Sequence, residues 1–474
     1  MVFLSESSSL QHLSINSFAG VRNVLNMSNQ SLLDRSLQSV WHPCTQMKQH
    51  ETYPLVPIQR GEGVWLYDTD GKRYLDAVSS WWVNLFGHNN ERIKNAIKLQ
   101  LDTLEHVMLA GFTHAPVVEL SEKLAKLTGL GHAFYASDGA SATEIALKMS
   151  FHYWRNTNKP NKTKFISLQN SYHGETLGAL GVTDVAIFKD TYAPLLTQSA
   201  QMPSPDFRLA ESGETAEAFA LHCAITLEQY VGQHHEELAA FIIEPLIQCA
   251  AGMGMYHSIY LRRAREICTE YEVHLIADEI AVGFGRTGSM FASYQSCVDC
   301  DEPDACTQSR DCRPDFMCLS KGITGGYLPL SAVLTTDKIY QAFYDDSTIK
   351  GFLHSHSYTG NPLACSAALA TLAIFESDNI LEKNKEKAAY LNSQMQIFSQ
   401  LPIEHIRHQG MIWAFDVKTT NEKFARDCYA EALSQGLLLR PIGNTMYFMP
   451  PYTISEAEMD FMLQATFNAL KTSI

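Results

Sequence analysis

Apolar and polar positions recur along this chain with two distinct periods. Short apolar runs at 65–67 and 73–75, joined by the turn Asp68-Thr69-Asp70-Gly71, predict a β-hairpin. Residues 91–105 and 116–128 carry apolar side chains at helical spacing. A short strand at 134–136 leads into Ala142, Ile145, Ala146, Met149 and Tyr153, spaced i, i+3, i+4, i+7, i+11. This pattern predicts a helix opened by a capping box at Ser141 and Glu144. Apolar runs of strand length at 164–168, 241–243 and 274–278 alternate with helical segments, the signature of a doubly wound α/β sheet. Helical patterns at 362–376 and 380–400, then strands near 411–416, 437–440 and 446–449, predict a C-terminal α+β unit.

Length and composition narrow the class. At 474 residues the chain exceeds one compact core and suggests two domains. Hydrophobic content of 46% and charged content of 18% are those of a soluble globular protein. A net charge of −15 without Lys/Arg clusters argues against a nucleic-acid or anionic-membrane surface. No stretch reaches the roughly eighteen apolar residues of a membrane helix. Eleven cysteines, an odd number without an export signal, fit a reducing cytoplasmic compartment. Residues 1–26 are Ser-rich and read as a disordered tail or an over-extended start ahead of Met27.

Candidate chemistry centres on LSKGITGG (319–326). Lysine is costly to bury, and the glycines let the backbone fold tightly around Lys321, so this side chain is a candidate for Schiff-base chemistry with a carbonyl. The strand at 274–278 ends in Asp278, and ligands of parallel sheets gather at strand C-termini. A lysine that can form an imine and a carboxylate that can hold a pyridinium nitrogen are the minimal protein equipment for pyridoxal phosphate. The turn Ser137–Ser141 at a helix start offers free N–H groups and a seat for phosphate. Trp81 and Trp82 cannot both face one core along a strand, so one of them is a pocket candidate. Cys297, Cys300, Cys306 and Cys312 could close a tetrahedral zinc site, bind an iron–sulfur cluster or remain free thiols. With only one CxxC among them, no metal ligand is assigned.

From about Trp41 onward, many ordered blocks resemble the class-III aminotransferases of pyridoxal phosphate fold type I. They include HPCT (42–45), SSWWVNLFGH (79–88), SDGASATEIALKM (137–149), SYHGET (171–176), IIEP (242–245), IADEI (276–280), the Lys321 block, HSHSYTGNPLA (354–364) and MPPY (449–452). Their order and number, more than any one block, carry the likeness. It implies a large domain (79–375) with a mainly parallel seven-stranded sheet flanked by helices, interrupted by a Cys-rich insertion at 297–313. A smaller α+β domain would come from segments 27–78 and 376–474.

The resemblance further implies that Lys321 anchors the cofactor and moves the proton, Asp278 holds the ring nitrogen, and Tyr172 stacks on the ring with His173 nearby. Glu244 would support that network, and Gly139 and Ala140 would bind the phosphate, joined by His356 and Ser357 across a homodimer interface. Substrate contacts would come from Trp81, Tyr172, Lys321, Ser355, Arg440 and Cys44, with Arg440 on a carboxylate. Within the family, the blocks are most similar to members that convert 8-amino-7-oxononanoate to 7,8-diaminononanoate in biotin biosynthesis. S-adenosylmethionine is then the expected donor, with lysine as an alternative; a rival is an ornithine or β-alanine aminotransferase. Two positions depart from the family: Ala140 replaces a usual hydroxyl residue, and Cys44 replaces a usual aromatic.

Overall fold

The computed structural model describes residues 28–53, 55–296 and 313–474. The expected tail at 1–26 and the thiols of Cys297, Cys300, Cys306 and Cys312 lie outside the described residues. Seven strands form one mixed sheet. In chain order they are β1 (His132–Ala136), β2 (Lys164–Leu168), β3 (Ala200–Met202), β4 (Leu238–Ile243), β5 (His274–Asp278), β6 (Phe316–Leu319) and β7 (Ser331–Thr335). Their spatial order is β1-β7-β6-β5-β4-β2-β3. β7 runs antiparallel to both neighbours, and the other pairs are parallel.

Every residue of β4, β5, β6 and β7 is buried, as strands covered on both faces require. Alternation of side chains sorts them between two cores. Ala240, Ile242, Ile276 and Phe316 pack with Ile145 and Met149 of the helix Gly139–Asn156. Phe241, Ile243 and Leu275 pack instead with Leu227 of the helix Ala216–His234 and Ile267 of the helix Ile259–Glu270. Since β2, β4, β5 and β6 are parallel, their C-terminal ends emerge at one edge, where a ligand can meet all of them. This is the fold expected from the resemblance.

The predicted hairpin is present as Trp65–Asp68 and Arg73–Asp76. Asp68 closes its turn by accepting from the N–H groups of Asp70 (3.0 Å) and Lys72 (2.8 Å). Ile58–Glu62 extends the hairpin on one side. On the other, Leu437–Leu438 pairs with Arg73–Asp76 in parallel, bringing together both ends of the chain. A separate three-stranded sheet combines Ile403–Gln409, Ile412–Val417 and Thr445–Phe448. Among the described residues no single helix is long and apolar enough to cross a membrane.

The glycines after Lys321 are sterically required at two positions. Gly325 and Gly326 have φ of 64° and 90°, and a β-carbon on Gly326 would lie 2.9 Å from both Asn84 Cα and Val83 O. We expect Gly326→Ala to destabilise the fold by about 1–3 kcal/mol, read as a lowered denaturation midpoint. An unchanged midpoint would mean that the 83–84 backbone yields freely.

Candidate active site

β6 ends at Leu319, and the chain turns through Ser320 into a short 3-10 turn, Lys321–Thr324. Ser320 Oγ donates to Leu330 O at 2.9 Å and so ties this turn to the start of β7. Lys321 has φ 43°, a left-handed conformation that costs a residue with a β-carbon about 1–2 kcal/mol. Its ammonium lies 5.0 Å over the ring of Trp82 and has no hydrogen-bond or ion-pair partner among the described residues. Burial lowers its pKa, opposed by Asp278, Cys249 and Glu244.

Asp278 closes β5, in register with Cys318 of β6. One carboxylate oxygen lies 2.7 Å from His173 Nδ1, and the other accepts from the Ile280 N–H at 3.1 Å. His173 is buried, and its Nε2 has no partner among the described residues. Glu244, one residue past β4, accepts from the backbone N–H groups of Tyr172 (3.0 Å) and Cys249 (3.2 Å). Burial, with the charge of Asp278 second, pushes the Glu244 carboxyl well above the usual carboxylate range. Tyr172 donates its hydroxyl to Glu175 at 2.9 Å; burial and the Glu175 charge keep it a phenol.

The helix that begins at Gly139 is capped by Asp138, which accepts from Ser141 N (2.9 Å) and Ser141 Oγ (2.8 Å). This corrects the expected capping box at Ser141 and Glu144. Asp138 takes the extended backbone of a cap, so the helix starts before Ser141. Glu144 instead accepts from Thr176 Oγ1 and Gly178 N, both at 2.7 Å, and anchors the loop after Tyr172. The first N–H groups of a helix have no intrahelical acceptor and sit at the positive end of its dipole. Those of Gly139 and Ala140 belong to this group.

Lys321, Asp278, Tyr172, His173, Glu244, Gly139 and Ala140 all line one cavity of about 300 Å³. Cys44 and Arg440 line a second, of about 780 Å³, with Tyr53, Phe188 and Tyr429, and Glu175 borders both. The expected strand at 437–440 is shorter, Leu437–Leu438, which leaves Arg440 beyond the last ladder bond. The Arg440 guanidinium lies 4.5 Å over the ring of Trp81, which is 43% exposed. Cys44 has φ 54°, and partial burial followed by the Glu175 charge raises its thiol pKa. Ser355, His356 and Ser357 lie on the loop before the helix Pro362–Asp378 and line neither cavity of their own chain. Ser355 and Ser357 are exposed.

Four further residues belong to the site. Trp82, 5% exposed, lines the smaller cavity and donates its indole N–H to Tyr447 Oη at 3.1 Å. Glu175 stands between the cavities, and Asp76 binds the backbone beneath the two tryptophans. The Trp-Trp pair was a signal for Trp82, and SYHGET contains Glu175; nothing in the pattern singled out Tyr447 or Asp76. The donor set fits pyridoxal phosphate. An amine with no hydrogen-bond or ion-pair partner among the described residues shares the cavity with a buried carboxylate, a tyrosine ring borders it, and a helix start offers N–H groups.

The family model for class-III aminotransferases matches residues 46–470. The adenosylmethionine-8-amino-7-oxononanoate aminotransferase of Helicobacter pylori is 46% identical over 440 residues, covering 91% of this chain and 95% of that one. Its counterpart from Geobacter sulfurreducens is 39% identical, with 94% and 98% covered. The solved structure of the Methanocaldococcus jannaschii enzyme of the same name superposes with a TM-score of 0.85 at 36% identity, covering 94% of this chain and 99% of that one. An amine transaminase from an uncultivated Pseudomonas species, solved with pyridoxal phosphate bound, gives 0.84 at 30% identity, with 92% and 99% covered. With its sheet order, its clustered lysine and aspartate and these matches over nearly the whole length, the chain belongs to the class-III aminotransferase family.

Proposed function

We propose that this protein transfers an amino group to 8-amino-7-oxononanoate, giving 7,8-diaminononanoate for biotin synthesis, with pyridoxal phosphate as cofactor and S-adenosylmethionine as donor. The observation that carries the reading is a pair of adjoining cavities. One gathers Lys321, Asp278, Tyr172 and the helix start at Gly139, and the other gathers Cys44 and Arg440. Relatives named for this acceptor point to the substrate.

Bound pyridoxal phosphate supplies an electron sink for the pair left on carbon when a proton is removed. Lys321 would anchor it and, as a free amine, would take the proton from the carbon bearing the donor's amine. Its lowered pKa suits a base. Asp278 holds a proton on the ring nitrogen. At about 4 Å and an effective dielectric of about 20 this attraction is on the order of 4 kcal/mol, roughly three pKa units. His173 fixes the Asp278 carboxylate, and Glu244 fixes the backbone of Tyr172, whose ring borders the same cavity and would cover the cofactor.

Gly139 and Ala140 hold the phosphate through backbone N–H groups, because position 140 has no hydroxyl. His356 and Ser357 would complete that seat from a second copy of the chain in a homodimer, which agrees with their lining neither cavity of their own chain. Arg440 receives the substrate carboxylate through two parallel hydrogen bonds, with Trp81 behind it. Cys44 lines the larger cavity, Trp81 bears on the substrate through its contact with Arg440, and Ser355 would reach it only from the second copy of the chain.

Product formation from 8-amino-7-oxononanoate, measured with S-adenosylmethionine, lysine, ornithine or glutamate as the single donor, tests the proposal. Turnover is expected with S-adenosylmethionine. Turnover with lysine alone would replace the donor, and no diaminononanoate with any of them would overturn the acceptor.

A further inference from the structure

Ser79, Ser80, Trp81 and Trp82 have φ of 50°, 47°, 74° and 73°. Four consecutive residues with β-carbons thus adopt a backbone that such residues avoid, and a run of this kind persists only where its surroundings over-determine it. The main restraint is Asp76, a fully buried carboxylate at the end of Arg73–Asp76. Its Oδ1 accepts from Ser80 N at 2.9 Å and Val78 N at 3.3 Å. Its Oδ2 accepts from Ser80 Oγ at 2.7 Å and lies 3.1 Å from His88 Nε2. Ser79 Oγ, donating to Met449 O at 2.7 Å, pins the other side of the turn.

The turn carries two adjacent indoles to two different cations. Trp81 lies under Arg440 at 4.5 Å, and Trp82 lies under Lys321 at 5.0 Å. A regular strand would send neighbouring side chains to opposite faces, and a right-handed turn would change both directions. The left-handed run, held by Asp76, brings one indole to each cation.

We infer that Asp76 is a positioning residue that sets the carboxylate-binding arginine and the cofactor-binding lysine together, without touching substrate or cofactor. The inference rests on the proposed function for the roles of those two cations. Loss of the carboxylate releases Trp81 and Trp82 as one unit, so binding at Arg440 and the ionisation of the cofactor linked to Lys321 change in concert. A purely structural role would lower stability and leave both properties alone.

The test compares the holoenzyme with its Asp76→Asn and Ser80→Ala variants. Three quantities are read: the dissociation constant of a straight-chain monocarboxylate, the midpoint pH of the cofactor's visible absorbance band, and the thermal midpoint. Loss of one charge-assisted hydrogen bond at the arginine raises a dissociation constant about tenfold or more. In Asp76→Asn the carboxylate dissociation constant is therefore expected to rise about tenfold or more, together with a shift of the absorbance midpoint. Ser80→Ala, which removes one hydroxyl bond, is expected to move both in the same direction by a smaller factor, and it decides the matter if Asp76→Asn does not fold. A lowered thermal midpoint with both binding and absorbance at wild-type values overturns the inference, as does a change in only one of them. Failure of the substrate assignment is a separate result, since it would appear in the wild type as no turnover of 8-amino-7-oxononanoate.

Discussion

Lys321→Ala is expected to leave a folded protein that no longer retains pyridoxal phosphate through gel filtration and turns over at least ~10³-fold more slowly than the wild type. The side chain is charged to two tasks, anchorage and proton transfer, and no second amine lines the smaller cavity among the described residues. The fold should survive, because the Lys321 ammonium has no hydrogen-bond or ion-pair partner among the described residues. Removing a buried base whose pKa is already depressed relieves a cost of folding. The same depression predicts a pH effect in the wild type. The free amine predominates above its pKa, so capture of cofactor by the apoprotein should rise with pH through a midpoint below the ~10.4 of an exposed lysine. Full activity in the alanine variant would end the assignment, and a capture midpoint at the ordinary lysine value would end the pH argument.

Asp278→Asn should be nearly as damaging. Loss of an attraction on the order of 4 kcal/mol amounts to roughly 10³-fold in a rate that depends on a protonated ring nitrogen. Glu244 is a candidate to compensate, since the Asp278 charge is one reason its carboxyl is raised, and removing that charge eases its ionisation. Its oxygens are engaged with the N–H groups of Tyr172 and Cys249, so it cannot move into the vacated position without releasing the loop that holds Tyr172. Single-turnover measurements at several pH values check this. A variant within tenfold of the wild type at neutral pH would mean that Asp278 is not the partner of the ring nitrogen.

The two residues on which these expectations rest were readable in the sequence because each interrupts an apolar run: Asp278 ends a run of buried strand residues, and Lys321 follows another. The strands β2, β4 and β5 were legible for the same reason. β3 and β7 were not, being three and five residues long with little to separate them from buried loop. The capping box failed because Ser137-Asp138-Gly139-Ala140-Ser141 offers several cap residues within one turn, and only the backbone decides among them. Adjacent tryptophans were assigned opposite directions on the premise of an extended chain. Their left-handed turn contains no glycine that would announce it, so the pair signalled a pocket residue without showing that each indole meets a cation. The loop at 355–357 was legible only through family resemblance, since its position in one chain discloses no ligand.

The parallel pairing of Leu437 with Leu75 also bears on biosynthesis. The edge of Arg73–Asp76 finds its partner only when nearly all of the chain has left the ribosome, and Met449, which follows, closes onto Ala77 and Ser79. A nascent chain halted before Leu437 would contain all seven strands of the large sheet but would lack Met446, Phe448, Ile454 and Met459, which share one core with Met317 and Leu319 of the strand before the lysine. Premature termination near the C-terminus should therefore yield protein whose sheet is left uncovered behind the lysine and whose Trp82 has lost its Tyr447 partner, a candidate for degradation before it can load cofactor.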